Sequence, residues 1–237
     1  TCTPYASQEG ASLHEVAETL AARHGFRPEA PKPPARSEEL RRARWLLRSA
    51  PLHALFNGRN ETGEQVRVRA LGPVGHIYLP AALPPAGRDA FCTALADEFG
   101  VPLVMPRAES GVVRAWAPGR RFTLPDDGAG VLGTGYPFLK TALEDLVRLA
   151  RHPDAGDIIV LGWCAGATPL TFVDQHGCHG GAHPDEVTGF ALLPGNVPAD
   201  RHWLRPADLR AAVFKCMNRA GASAKAPDDT AAPGGAA

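Results

Sequence analysis

The sequence predicts an α/β fold: a mixed, largely parallel sheet with helices on both faces. Two observations carry this. Helical patterns and short apolar strands alternate along the chain, which is how helices come to cover a sheet. The run Asp157-Ile158-Ile159-Val160-Leu161 is continuously apolar after its first residue, as expected of a strand covered on both sides.

The elements follow in order. Ser12 caps a helix to about His24, with Glu15 three residues on in the capping-box arrangement. Leu13, Val16, Ala17 and Leu20 share one face, and Gly25 ends the helix. Arg27 to Pro34 is proline-rich and extended. Ser37 opens a second helix, whose Arg41, Arg42, Arg44 and Arg48 read as a solvated face. Val66 and Val68 alternate with Arg67 and Arg69, the pattern of a half-buried edge strand. Gly72 to Leu79 reads as a buried strand, and Gly87 to Phe99 as a helix with Phe91, Leu95 and Phe99 inward. Val101 to Met105 and Val112 to Trp116 are short strands. Gly128 to Gly135 reads as a flexible glycine-rich loop, because no strand leads directly into it as a dinucleotide-binding turn requires. Tyr136 to Leu149 is helical, with Leu139, Leu143, Leu146 and Val147 on its apolar side. Thr168 to Val173 and Val187 to Leu193 are further strands, and Pro206 to Asn218 is a last helix. Residues 1–219 read as one domain. Residues 220–237, dominated by Ala, Gly, Pro and Asp, read as a disordered tail.

Composition narrows the function. The 237 residues hold 25 Lys plus Arg and 25 Asp plus Glu, so formal net charge is zero. A nucleic-acid binder shows a basic excess or a basic face, so no nucleic-acid partner is expected. No apolar run reaches the length of a membrane-spanning helix, and no signal peptide is visible. The five cysteines are odd in number, widely spaced and without a CxxC pair, so they read as free thiols in a reducing, cytoplasmic setting. GxSxG and GxxxxGK[ST] are both absent, which speaks against an α/β-hydrolase elbow and a phosphate-binding P-loop.

The informative stretch is Ala155 to Pro194. Between two predicted strands lies a glycine-rich loop holding His176, Cys178, His179, His183, Asp185 and Glu186, flanked by Gly177, Gly180 and Gly181. Imidazole and carboxylate are normal ligands for zinc and similar cations. Glycines let a loop turn sharply and approach a ligand. Spacing alone leaves two readings open, a self-contained metal site or a surface loop with incidental histidines, because no established zinc spacing is present.

Three runs of residues resemble the C-terminal end of the alkaline phosphatase superfamily, in its nucleotide pyrophosphatase/phosphodiesterase-like branch. They are Gly156-Asp157-Ile158-Ile159-Val160, Gly177-Cys178-His179-Gly180-Gly181 and Phe190-Ala191-Leu192-Leu193-Pro194. In that branch a GDIVV-type strand leads to a GSHGG-type loop and then to a Leu-Leu-Pro-like run. The match makes His179 the family's last metal ligand, with Cys178 where a small Ser is commoner. Gly75-His76-Ile77-Tyr78 also resembles a family strand, and His76 there reads as a packed strand histidine. Thr3 to Gly10, with the helix after it, resembles the text that follows the family's Asp-His-Gly metal motif. Asp-His-Gly itself is not in this sequence.

The resemblance covers most of Thr1 to Pro194, and only the loop around His179 is specific. It implies an alkaline-phosphatase-like α/β domain, incomplete on its N-terminal side. The implied chemistry is phosphoric ester hydrolysis by two divalent metal ions, usually zinc, on a phosphate ester or nucleotide substrate. Such a pair stabilises charge on both sides of an in-line displacement. Only His179 is assigned here. The nucleophile and most ligands would come from a missing N-terminal half, so the chain alone is expected to be inactive and to associate through an exposed sheet edge. The alternative is a non-catalytic metal-binding or partner-binding α/β domain.

Overall fold

The computed structural model describes residues 2–26, 65–109, 111–173, 180–192 and 203–216. The predicted second helix and the proline-rich stretch before it lie outside them. The chain divides into two compact units, 1–189 and 190–237.

In the first unit the strands are β1 (Thr3–Pro4), β2 (Arg67–Leu71), β3 (Val74–Tyr78), β4 (Leu103–Pro106), β5 (Val113–Ala117), β6 (Arg120–Leu124), β7 (Ile158–Leu161) and β8 (Leu170–Thr171). The helices are α1 (Leu13–Arg23), α2 (Pro85–Asp97), α3 (Gly128–Leu132), α4 (Leu139–Arg151) and the short α5 (Pro184–Val187). Six strands form one sheet in the order β2-β3-β7-β4-β5-β6, and β1 pairs with β8 in a separate two-stranded sheet.

The α/β class holds and the largely parallel sheet does not. Every pairing within the six-stranded sheet is antiparallel, and among the described residues only β1 with β8 is parallel. The apolar run of β7 misled for a physical reason. Its four residues are all buried because both faces of the sheet are covered, and burial on both faces says nothing about the direction of the neighbours. Ile158 and Val160 enter a core with Val16 and Leu20 of α1, Phe91 and Leu95 of α2, Ile77 and Val104. Ile159 and Leu161 enter a second core with Met105, Val131 of α3, and Leu143 and Leu146 of α4. Helices therefore do lie on both faces, as expected.

Local chemistry explains the elements that matched. Ser12 Oγ accepts from the Glu15 amide at 3.4 Å, and Glu15 Oε2 accepts from the Ser12 amide at 2.7 Å, so both halves of the capping box are made. Arg67 and Arg69 of β2 are exposed while Val66 is fully buried, the pattern expected of an edge strand. The opposite edge, β6, was not expected at all. It begins with the exposed pair Arg120-Arg121, too polar to stand out as a strand. Arginines thus stand on both outer strands, and long charged side chains oppose the addition of another chain there. The glycine-rich run at Gly128 is helix α3 rather than a flexible loop. Gly128 packs directly beneath Leu143 of α4, with no room for a Cβ.

Residues 187–192 form no strand, against expectation. Phe190 and Leu192 are almost fully exposed, so this apolar run fills no core. In the second unit the described structure centres on α6 (Pro206–Cys216), where Asp208 accepts from the Arg205 amide at 2.8 Å and Arg210 stands over Phe214.

His76 is the packed strand histidine that was expected. It sits half-buried on β3 beside Tyr78, and its Nδ1 accepts from the Gly156 amide at 3.1 Å. Burial holds its pKa below the ordinary 6.5.

Two predictions follow from these contacts. Ser12→Ala is expected to cost about 1 kcal/mol in urea unfolding, the usual value of a helix cap. Acidification from about pH 7 to about pH 5 is expected to lower the melting temperature. The unfolded chain binds a proton at His76 more readily than the folded one, so stability falls as pH drops below 6.5 toward the depressed folded value. His76→Asn keeps an acceptor for Gly156 and should flatten that dependence. An unchanged slope in the variant would assign the effect elsewhere.

Candidate functional site

Three stretches of chain meet on the turn that joins β2 to β3. Gly72 takes a left-handed conformation there, φ 59°, and Pro73 follows. The Pro73 carbonyl accepts from the Gly162 amide at 2.8 Å, just past the end of β7. The Gly72 carbonyl accepts from the Phe172 amide at 2.8 Å, just past β8. A Cβ on Gly181 would come within 2.6 Å of the Pro73 ring, so only glycine passes this point without displacing it. Phe172 enters the loop that the sequence singled out, and Gly181 follows its first two histidines. Both are seated on one turn, so the loop between them is closed at its base. His176, Cys178 and His179 lie outside the described residues.

The N-terminal strand borders the same loop. Thr3 donates its amide to the Pro169 carbonyl at 3.0 Å, and Tyr5 to that of Thr171 at 2.7 Å. The Tyr5 ring lies 5.4 Å from that of Phe172, and its hydroxyl donates to the Phe99 carbonyl at 2.8 Å. Burial pushes the Tyr5 pKa up to about 12, so the phenol stays a donor throughout the physiological range. Thr171 is buried, and its hydroxyl donates to the Val173 carbonyl.

The returning stem is held by side chains from the other core. The Tyr136 hydroxyl donates to the Ala182 carbonyl at 2.7 Å, with its pKa raised to about 12 by burial and by the Glu186 carboxylate. His183 caps α5, its Nδ1 accepting from the Asp185 amide at 3.3 Å, and its ring meets Trp163 edge-on at 5.2 Å. Glu186 Oε2 accepts from the Gly181 amide at 2.8 Å. Of the candidate ligands that the sequence offered, His183 and Glu186 therefore shape the loop's own backbone. Asp185 is exposed and 3.7 Å from His183. Among the described residues no group of three or more His, Cys, Asp or Glu is arranged to hold a metal ion.

A second feature was not legible in the sequence. A cleft of about 520 Å³ opens beyond the end of β7, lined by Arg120, Cys164, Gly166, Thr168 and Leu170 among others. Arg120 donates to the Cys164 thiol at 3.3 Å and to the Ala165 carbonyl at 3.2 Å. Burial pushes the Cys164 thiol up, and the neighbouring guanidinium opposes that shift. A cleft with a guanidinium in its wall suits a ligand carrying a planar or tetrahedral anionic group. Arg120 belongs to the strand that the sequence did not reveal, and it meets a residue of a distant loop, so no local spacing could have announced the pair.

One expectation about the cysteines is corrected. Cys92 and Cys164 are free and buried, but Cys2 is disulfide-bonded. Wide spacing along the chain argued for free thiols, yet it does not measure distance in the fold.

Comparison with family models, with curated proteins and with solved structures gives no match for this chain.

Tyr136→Phe is expected to lower stability by about 1 kcal/mol, the net value of one hydrogen bond. Because the lost bond holds the returning stem, amide hydrogen exchange should quicken at residues 180–187 before it does in β7. Uniform exchange across both segments would contradict this role.

Proposed function

We propose that the chain supplies the C-terminal portion of a metal-dependent phosphoric ester hydrolase, of the phosphodiesterase or phosphatase type found in the alkaline phosphatase superfamily. In this reading His179 is one ligand of a divalent metal, zinc in the first instance, and the substrate is a phosphate ester or a nucleotide.

The observation that supports it most is the parallel pairing of β1 with β8. In the family, Asp-His-Gly ligands precede the text that Thr3 to Gly10 resembles. Residues joined ahead of Thr3 would start from the two-stranded sheet whose other strand leads toward His179. Ligands far apart in sequence would thus be brought to one place. The closed base of the loop adds to this, since a metal ligand needs a fixed backbone beneath it. The cleft walled by Arg120 is chemically suited to a phosphoryl group.

The described residues do not make a metal centre by themselves. His183 and Glu186 are occupied within the loop, and a lone imidazole holds a dication weakly. The remaining ligands and the nucleophile are assigned, in this proposal, to an N-terminal half of the complete enzyme.

The test is turnover of an aryl phosphodiester and an aryl phosphomonoester, with and without zinc, by this chain and by a form extended upstream through an Asp-His-Gly motif. Turnover is expected only from the extended form, and His179→Ala should reduce it by about 100-fold or more, since changing even the groups that support a metal ligand costs about 10–100-fold. Zinc-dependent turnover by the unextended chain, lost in His179→Ala, would show that the chain builds its own site. Zinc bound through His179 without turnover in either form would favour a non-catalytic metal-binding domain.

A further inference from the structure

We propose that the cleft beyond the end of β7 is a binding site for a small monocarboxylate with an apolar body, and that Arg120 holds the carboxylate. The proposal is independent of the hydrolase reading and of any metal.

Three connections of the chain build the cleft. Gly100 and Pro102 come from the one between α2 and β4, Pro118 from the turn between β5 and β6, and Cys164 to Thr168 from the one between β7 and β8. Each connection is tied down. The Val101 amide donates to the Leu95 carbonyl at 3.0 Å. The Gly119 amide donates to Asp97 Oδ1 at 2.8 Å, which fastens the Pro118-Gly119 turn to the end of α2. The Ala165 amide donates to the Val131 carbonyl at 2.8 Å, and the Ala167 amide to that of Cys164 at 3.0 Å. The walls therefore stand in place before any ligand arrives, as small-molecule sites commonly do.

Charge selects the head group. Arg121 and Arg114, neighbours of Arg120 on β6 and β5, each hold a carboxylate. Arg120 donates instead to the neutral Cys164 thiol and Ala165 carbonyl, both through Nη2. Among the described residues no Asp or Glu pairs with it, and none lines the cleft. A guanidinium without a counter-ion in the wall of a cleft favours an oxyanion there. One guanidinium balances one charge. A carboxylate brings one, whereas a phosphomonoester brings nearly two at neutral pH, and the described lining offers no second cation. Shape points the same way. The Arg120 guanidinium stands over the Phe122 ring, 5.4 Å from its centre. One face is thus covered and the edge of the fork is left, and a planar carboxylate pairs with such an edge in its own plane.

The body is read from the rest of the wall. Pro102, Pro118, Ala167 and Leu170 are apolar, and Thr168 adds a hydroxyl. The volume of about 520 Å³ falls within the roughly 300–1,000 Å³ of small-ligand sites.

Amide NMR of the full chain tests the site, with benzoate as the probe and no metal added, so the result is separate from any role of His179. Benzoate is expected to shift the amides of Gly100, Gly119, Arg120 and Gly166 in a saturable manner. Benzamide has the same shape without the charge. It is expected to bind at least about 10-fold more weakly, the usual loss when a hydrogen bond to a charged group is removed. Arg120→Met should weaken benzoate to the same extent, and Arg69→Met, on the far edge strand of the sheet, should not. The benzamide comparison decides on the native chain if Arg120→Met fails to fold. Equal binding of benzoate and benzamide, shifts centred away from the cleft, or none with benzoate in the millimolar range would overturn the proposal. So would inorganic phosphate or dimethyl phosphate binding as tightly as benzoate, which would assign the cleft to a phosphoryl group instead.

Discussion

The organisation of the first unit depends on one two-residue turn. Gly72 and Pro73 reverse the chain between β2 and β3, and each spends its carbonyl on a different segment, Phe172 and Gly162. The Pro73 ring closes the third contact, against Gly181. Proline has no amide to satisfy and a fixed φ, so it can be pressed against a neighbouring backbone at little cost. The left-handed φ of Gly72 is what allows so tight a reversal. The end of the central strand, the short β8 and the return of the histidine-bearing loop are all positioned by this one feature. Through β8 the N-terminal strand is positioned as well.

Local signals were legible in the sequence, and relations between distant segments were not. The capping box of α1, the arginine–valine alternation of β2 and the apolar face of α4 are short-range patterns, and each produced the element it indicated. The sheet's direction is a long-range property. Hairpins at Gly72 and Gly119 make two of its pairings, while β7 pairs with strands made far earlier in the chain. The same limit applied to the site. Glycines and histidines marked the loop, but the turn beneath it, the Arg120–Cys164 contact and the disulfide at Cys2 all join residues remote in sequence.

Charge is distributed so that arginines serve several purposes. Arg114 makes a bidentate pair with Asp89 at 2.6 and 2.7 Å while standing over Trp116. Arg121 holds Asp97, whose carboxyl is kept below its usual range by that guanidinium and by the Gly119 amide. Both pairs bind α2 to β5 and β6 on the outer part of the sheet. Their partly exposed positions make each pair a modest contributor to stability, so their main effect is to fix how the helix lies. Arg120, one residue away on β6, has instead a thiol and a carbonyl as partners, and its charge faces the cleft.

The position of β7 has a consequence for how the chain acquires its shape. β3 and β4 run in the same direction, with α2 between them in sequence, and β7 lies between them antiparallel to both. The middle of the sheet is therefore its last strand to leave the ribosome. Until Ile158 to Leu161 emerge, β3 and β4 each expose an inner edge that has no partner. Contacts across such long sequence separations slow folding, and unpaired edges are where nascent chains associate wrongly. The vulnerable edges of this six-stranded sheet are thus transient and central, whereas its permanent outer ones carry arginine.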